Sequence, residues 1–140
     1  MNLNTTALET SFDQVAVRGD ELVEIFYRRL FDAAPAVQPL FAGVDLKRQK
    51  GMLLATLVLL RRSLRDLDSV VPKLRDMGAR HAQYGAQPEH YPVVGEVLIA
   101  SMAEVAGDAW TFEFELAWTE AYAVVAGAML DGANSVEFVA

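Results

Sequence analysis

The chain has 140 residues, 53% of them hydrophobic, and a net charge of −7. That length suits one domain with a substantial core, and the acidic balance argues against nucleic acid or an anionic membrane as principal partner. There is no cysteine, which excludes disulfides, thiolate metal sites, iron–sulfur clusters and thioether-linked tetrapyrroles, and suits a reducing cytoplasm.

The N-terminus, MNLNTTALETSFD, lacks the basic-then-apolar layout of a signal peptide, so a soluble, cytoplasmic protein is expected. Leu8, Phe12 and Val15 recur at helical spacing and predict a first helix, closed by Gly19. Leu22, Ile25, Phe26 and Leu30 make a second face, ended by Pro35, which supplies no N–H and disfavours helix just before it. Residues 35–41 leave room for a short helical turn, and 42–45 read as a loop. A long helix is predicted over 46–67; its greasiest run, 52–60, is too short to span a bilayer. Asp68 and Ser69 are capping candidates for the next helix, with Pro72 in its first turn and Gly85 just past its end.

Tyr91-Pro92 opens another helix, which Gly107 ends. Asp108 can then cap a last long helix carrying Phe112, Leu116, Tyr122, Val125 and Met129. Gly132-Ala-Asn-Ser followed by 136–139 reads as a loose tail over 131–140. The expectation is one all-α domain over 1–140, with its core in about 8–130 and six or seven helices. That is too many, and too uneven, for a plain four-helix bundle.

One side chain raises a chemical question. Leu74, Met77 and His81 fall on one stripe of the helix over 70–84. An imidazole stands there where an apolar residue would pack more cheaply. One reading is a core histidine satisfied by a backbone carbonyl. The other is a ligand for an iron porphyrin, which needs one neutral imidazole on an apolar wall and brings its own equatorial nitrogens. Two histidines and no cysteine cannot form the usual zinc ligand set. An Asp-x-His-x-x-Gly cobalamin site fails because Ala79 and Tyr84 occupy the Asp and Gly positions. His90, between Glu89 and Tyr91-Pro92, sits at a helix entrance, a more solvated place.

The rest of the chain carries a resemblance. Phe26-Tyr27-Arg28-Arg29-Leu30-Phe31, Pro35, Pro39-Leu40-Phe41, the run from Gly78 through His81 to Gly85, His90-Tyr91-Pro92-Val93-Val94-Gly95 and Ala117-Trp118-Thr119-Glu120-Ala121-Tyr122 follow one another in order. The sequence resembles the globin family over roughly 8–129, in particular bacterial single-domain globins similar to the haem domain of flavohaemoglobins. The resemblance implies a globin fold of six to eight helices around one haem pocket, holding haem b (iron protoporphyrin IX). It implies that His81 is the proximal iron ligand, its second ring nitrogen donating to a carbonyl one turn back at Met77. Phe41 is implied to stack on the porphyrin, Arg80 to meet a propionate, and Leu53 and Val94 to line the pocket. On the distal side Tyr27 is implied to point its hydroxyl at a ligand on iron, with Gln49 as the second polar residue. Such globins often pair the proximal histidine with a tyrosine and a glutamate. Tyr91 matches the tyrosine, but the glutamate position falls on Ala133, with Asp131 and Glu137 nearby. Peroxidase-like chemistry is therefore not expected.

The expected function is reversible O2 binding at ferrous iron, with NO and CO as related ligands, and turnover of nitric oxide to nitrate. No flavin or nicotinamide module follows residue 140 and no Gly-rich phosphate loop is present. Dioxygenation would therefore depend on a separate electron-donating reductase. Two alternatives remain at this level: an oxygen store, which needs the same pocket, and a gas or redox sensor or regulatory globin domain, in its extreme form without haem.

Overall fold

The computed structural model describes the backbone of residues 3–139 and the side chains of 3–134. Six α-helices follow in order: α1 (Thr5–Ala16), α2 (Gly19–Ala33), α3 (Leu46–Arg62), α4 (Val71–Gln83), α5 (His90–Ala106) and α6 (Phe112–Val139). Short 3-10 turns lie at Pro35–Phe41, Leu67–Ser69 and Gly107–Ala109. Among the described residues there is no strand. The fold is all-α, and no described helix is long and apolar enough to cross a membrane.

Local chemistry sets the boundaries. Asn4 caps α1 by accepting from the Ala7 N–H at 3.1 Å. Gly19 does not close that helix; it begins α2. A Cβ there would stand 3.0 Å from the Leu54 side chain, so the glycine serves a close approach to α3. α3 stops at Arg62, short of the expected end at 67. Ser63 turns its hydroxyl back onto the Leu59 carbonyl at 2.8 Å, and this bond competes with continued helix.

Two expected caps are replaced. Asp68 and Ser69 do not cap α4, whose first turn relies on Pro72; the Ser69 hydroxyl donates to the Asp66 carbonyl instead. At α6 the cap is Thr111, whose hydroxyl accepts from the Phe114 N–H at 3.1 Å, while Asp108 sits in the preceding 3-10 turn.

The largest difference is at the C-terminus. Residues 131–139 continue α6 where the sequence predicts a loose tail. Gly132 is not a helix stop here, because it is a crossing point. A Cβ on it would stand 1.8 Å from the Arg75 carbonyl oxygen, and one on Gly78 would stand 1.8 Å from that of Met129. α4 and α6 thus meet backbone to backbone, which only glycine permits.

The core divides in two. The larger part joins α1, α2, α5 and α6, with Leu8, Val15, Leu22 and Met102 fully enclosed and Phe12, Phe26 and Trp118 packed among them. Each such side chain contributes about 1.5–3 kcal/mol of burial. The Trp118 indole N–H donates to Ser11 at 2.8 Å, and Ser11 donates to the Ala7 carbonyl, so this polar pair is satisfied inside the core. A smaller cluster, Leu60, Val70 and Leu74, joins α3 to α4, with Met77, Val125 and Met129 half-buried against it.

Candidate functional site

Helix α4 presents His81 half-buried, with Nδ1 2.7 Å from the Met77 carbonyl oxygen. A carbonyl can only accept, so Nδ1 carries the proton and the Nε2 lone pair of the neutral ring remains available. Arg80, beside it, is exposed and forms an ion pair with Asp76 one turn back at 3.2 Å.

A second group assembles from α2, the Pro35–Phe41 turn and α3. Tyr27 is 5% exposed. Its ring meets Phe26 and Phe41 edge-on, with centroids 5.0 and 5.7 Å apart, and Phe31 at 6.0 Å. Burial pushes the Tyr27 phenol above its ordinary pKa, while a hydrogen bond with the Gln49 side chain pulls the other way. Phe41, Leu53 and Val94 pack against the main core, yet each keeps accessible apolar surface.

The two groups approach each other at Leu40 and Gly85. Leu40, next to Phe41, lies 3.0 Å from where a Cβ of Gly85 would stand, just past the helix that carries His81. His90 belongs to neither group: its Nδ1 accepts from the Gln87 N–H at 3.0 Å, within the turn that leads into α5.

Tyr91 is held through its backbone. Its carbonyl accepts from the Tyr122 hydroxyl at 2.6 Å, and burial raises the pKa of both phenols. Among the described residues no hydrogen bond joins the Tyr91 hydroxyl to His81. Ala133 supplies no carboxylate, Asp131 is exposed, and the Glu137 side chain lies outside the described residues. Tyr122, which the sequence places on the last helix, carries a positioning role that sequence reasoning did not assign. A Cβ on Gly95 would stand 2.5 Å from its ring, so the glycine ending the His90–Gly95 run is a seat for Tyr122. A glycine inside an otherwise strong apolar helix was the available signal.

The donor set fits haem. Among the described residues no group of three His, Cys, Asp or Glu side chains could hold a bare metal ion. One imidazole with a fixed tautomer, accessible apolar side chains and a buried hydroxyl donor suit a group that brings its own equatorial nitrogens.

Comparison with known proteins bears on the same residues. The globin family model matches residues 24–129. The flavohemoprotein of Rhizobium meliloti is 36% identical over 110 residues, 77% of this chain and 27% of that protein. That of Bacillus subtilis is 31% identical over 114 residues, 80% of this chain and 29% of that protein. The chain thus spans under a third of the length of these relatives. Among solved structures, an engineered carbene transferase built on a candidate nitric oxide dioxygenase from Rhodothermus marinus superposes with a TM-score of 0.86 at 27% identity, covering 96% of this chain and 94% of that one. A bacterial globin from Campylobacter jejuni shares the fold, with a TM-score of 0.82 at 20% identity over 95% and 96% of the two chains. Family model, relatives and fold agree, and the chain belongs to the globin family.

Proposed function

We propose that the chain is a haem b globin that binds O2 reversibly and, given one electron from a reductase, converts nitric oxide and O2 to nitrate. The observation that carries the reading is Tyr27, a phenol 5% exposed and ringed by Phe26, Phe31 and Phe41, with the Gln49 side chain as its hydrogen-bond partner. The relatives named flavohemoprotein and the Rhodothermus marinus neighbour support the same chemistry.

Bound haem would supply the iron centre that carries the gas ligand and changes oxidation state. The chain's residues do the rest. His81 would hold the group through Nε2, its orientation fixed by the Nδ1–H bond to Met77. Phe41, Leu53 and Val94 would enclose it and keep water out. Tyr27 would donate to a polar gas ligand, with Gln49 holding the phenol in place. Ala133 offers no carboxylate to make the proximal imidazole more basic, so the site favours O2 binding over O–O cleavage.

Visible spectra of the purified protein, with added haem where needed, test this. The ferric, ferrous and carbonyl forms should show haem bound through one histidine. His81→Ala should lose haem or hold it weakly, whereas His90→Ala should keep it. A protein that stays colourless with haem added, or the reverse outcome for the two histidines, sinks the reading.

A further inference from the structure

Charge is divided sharply along this chain. All 12 lysines and arginines lie in residues 1–80, while residues 81–140 carry nine acidic side chains and no Lys or Arg, so the two segments hold net charges of +2 and −9. Most described cations are spoken for. Arg28 and Arg29 pair with Glu104, Lys50 with Glu24, Arg61 and Arg65 with Glu9, and Arg80 with Asp76. Lys47 and Arg48, both exposed in the first turn of α3, have no ion pair among the described residues. Exposed apolar groups stand before them in the chain. Val44 is 43% exposed, its N–H bonded to the Phe41 carbonyl at 3.0 Å, and Leu40 is 38% exposed against Gly85, next to Tyr84 at 69%. Exposed apolar residues therefore border both Phe41 and the end of the His81 helix, and Lys47 and Arg48 follow Val44 three and four residues along the chain, on a protein whose net charge is −7.

We propose that this rim is the docking surface for a small acidic electron-carrier protein, an inference that rests on the function proposed above. At physiological ionic strength charges are screened within about 8 Å, so a partner reads the local patch and not the net charge. The anionic α5–α6 side turns an acidic carrier away from unproductive approaches, and Lys47 and Arg48 receive it where the apolar groups can be covered. One electron then passes from the carrier, which is oxidised, to ferric iron, which is reduced, and no atom moves between the proteins.

The probe is an acidic [2Fe–2S] ferredoxin. Calorimetry reads its binding in the oxidised form, and rapid mixing reads reduction of the ferric protein by the reduced form. The double variant Lys47→Glu, Arg48→Glu should lower both affinity and second-order rate roughly tenfold at low salt, with the difference vanishing at high salt. Glutamate in a helix's first turn favours the dipole, so this variant is expected to fold. Two controls apply. Arg62→Glu, an exposed charge reversal at the far end of α3, should change either quantity less than about twofold, and the double variant should be reduced by an uncharged small-molecule donor within about twofold of the wild-type rate. A loss as large in Arg62→Glu, no loss in the double variant, or wild-type protein that takes up haem and does not bind ferredoxin overturns this proposal alone. Protein that takes up no haem, seen by its missing Soret band, overturns the functional reading and this proposal with it.

Discussion

On the side shared by α1, α2, α5 and α6, Leu8, Val15, Leu22 and Met102 are sealed at 0% exposure. On the side shared by the Pro35–Phe41 turn, α3 and α4, Val37, Leu57, Leu60 and Leu74 are buried too, but Phe41, Leu53, Val58 and Met77 keep accessible surface, and so does His81. The first side is complete as a protein core. The second presents apolar surface that its own chain does not cover, at a cost in free energy that a flat apolar ligand would relieve. A ligand that binds only the folded state stabilises it in proportion to its affinity, so the open side should gain most from haem.

The largest effect should separate the two sides in the haem-free protein. Met102→Ala removes a fully enclosed side chain and should cost about 2–5 kcal/mol. Leu53→Ala removes one that is only partly exposed, and should cost less, about 1–2 kcal/mol. Urea unfolding measures both. Equal losses would mean that the two sides are packed alike. The contrast sharpens on adding haem, where the Leu53→Ala cost should grow and that of Met102→Ala should not.

Next in size is Tyr27, which stands where the two sides meet. Tyr27→Phe keeps the ring contacts with Phe26 and Phe41 and removes only the donor. A hydrogen bond to a partly charged acceptor is worth about 1.5–3 kcal/mol, equivalent to roughly a ten- to a hundredfold change. O2 should therefore leave the ferrous protein faster by that factor, with carbon monoxide, a less polar ligand, much less affected. Gln49→Leu should act in the same direction and less strongly, since its bond only positions the phenol. Stopped-flow displacement reads these rates, and identical O2 release from wild type and Tyr27→Phe would remove Tyr27 from the site.

These two sides were unequally legible in the sequence. Helical periodicity marks α1 and α2 because Leu8, Phe12, Val15 and Leu22 lie on faces that a core must cover. His81 stood out because an imidazole interrupts such a face, and Phe41 and Tyr27 entered through the family resemblance. What sequence reasoning misread depends on contacts between distant segments. Gly19 and Gly132 looked like breakers because glycine is a weak helix former, and nothing local announces Leu54 or the Arg75 backbone waiting opposite. Asp108 and Thr111 are both plausible caps, and the 3-10 turn between α5 and α6 decides for threonine. The Tyr122 bond to the Tyr91 carbonyl crosses from one helix to another, beyond the reach of any local pattern.

The smallest effect concerns the exposed ion pairs that brace the sealed side. Arg29, with Arg28, holds the Glu104 carboxyl below its usual range and ties α5 to α2. Arg65, in the turn past α3, does the same for Glu9, and Arg61 of α3 for Asp13, tying both to α1. A carboxylate whose pKa is lowered in the folded state adds stability that is fully present above its unfolded pKa and is lost as pH falls through the folded value. For Glu104 and Glu9 that window begins near the ordinary value of 4.5, and for Asp13 near 3.8, and it extends downward from there. All three carboxylates are solvated, so each contribution is small. Glu104→Gln should lower the Tm at neutral pH by less than about 3 °C, and should flatten the decline of Tm with acid below pH 4.5. Thermal unfolding followed by circular dichroism from pH 7 to 3, with Glu9→Gln in parallel, makes the test. If both variants lose stability on acidification as steeply as wild type, these pairs do not brace the helices, and the sealed side rests on its packing alone.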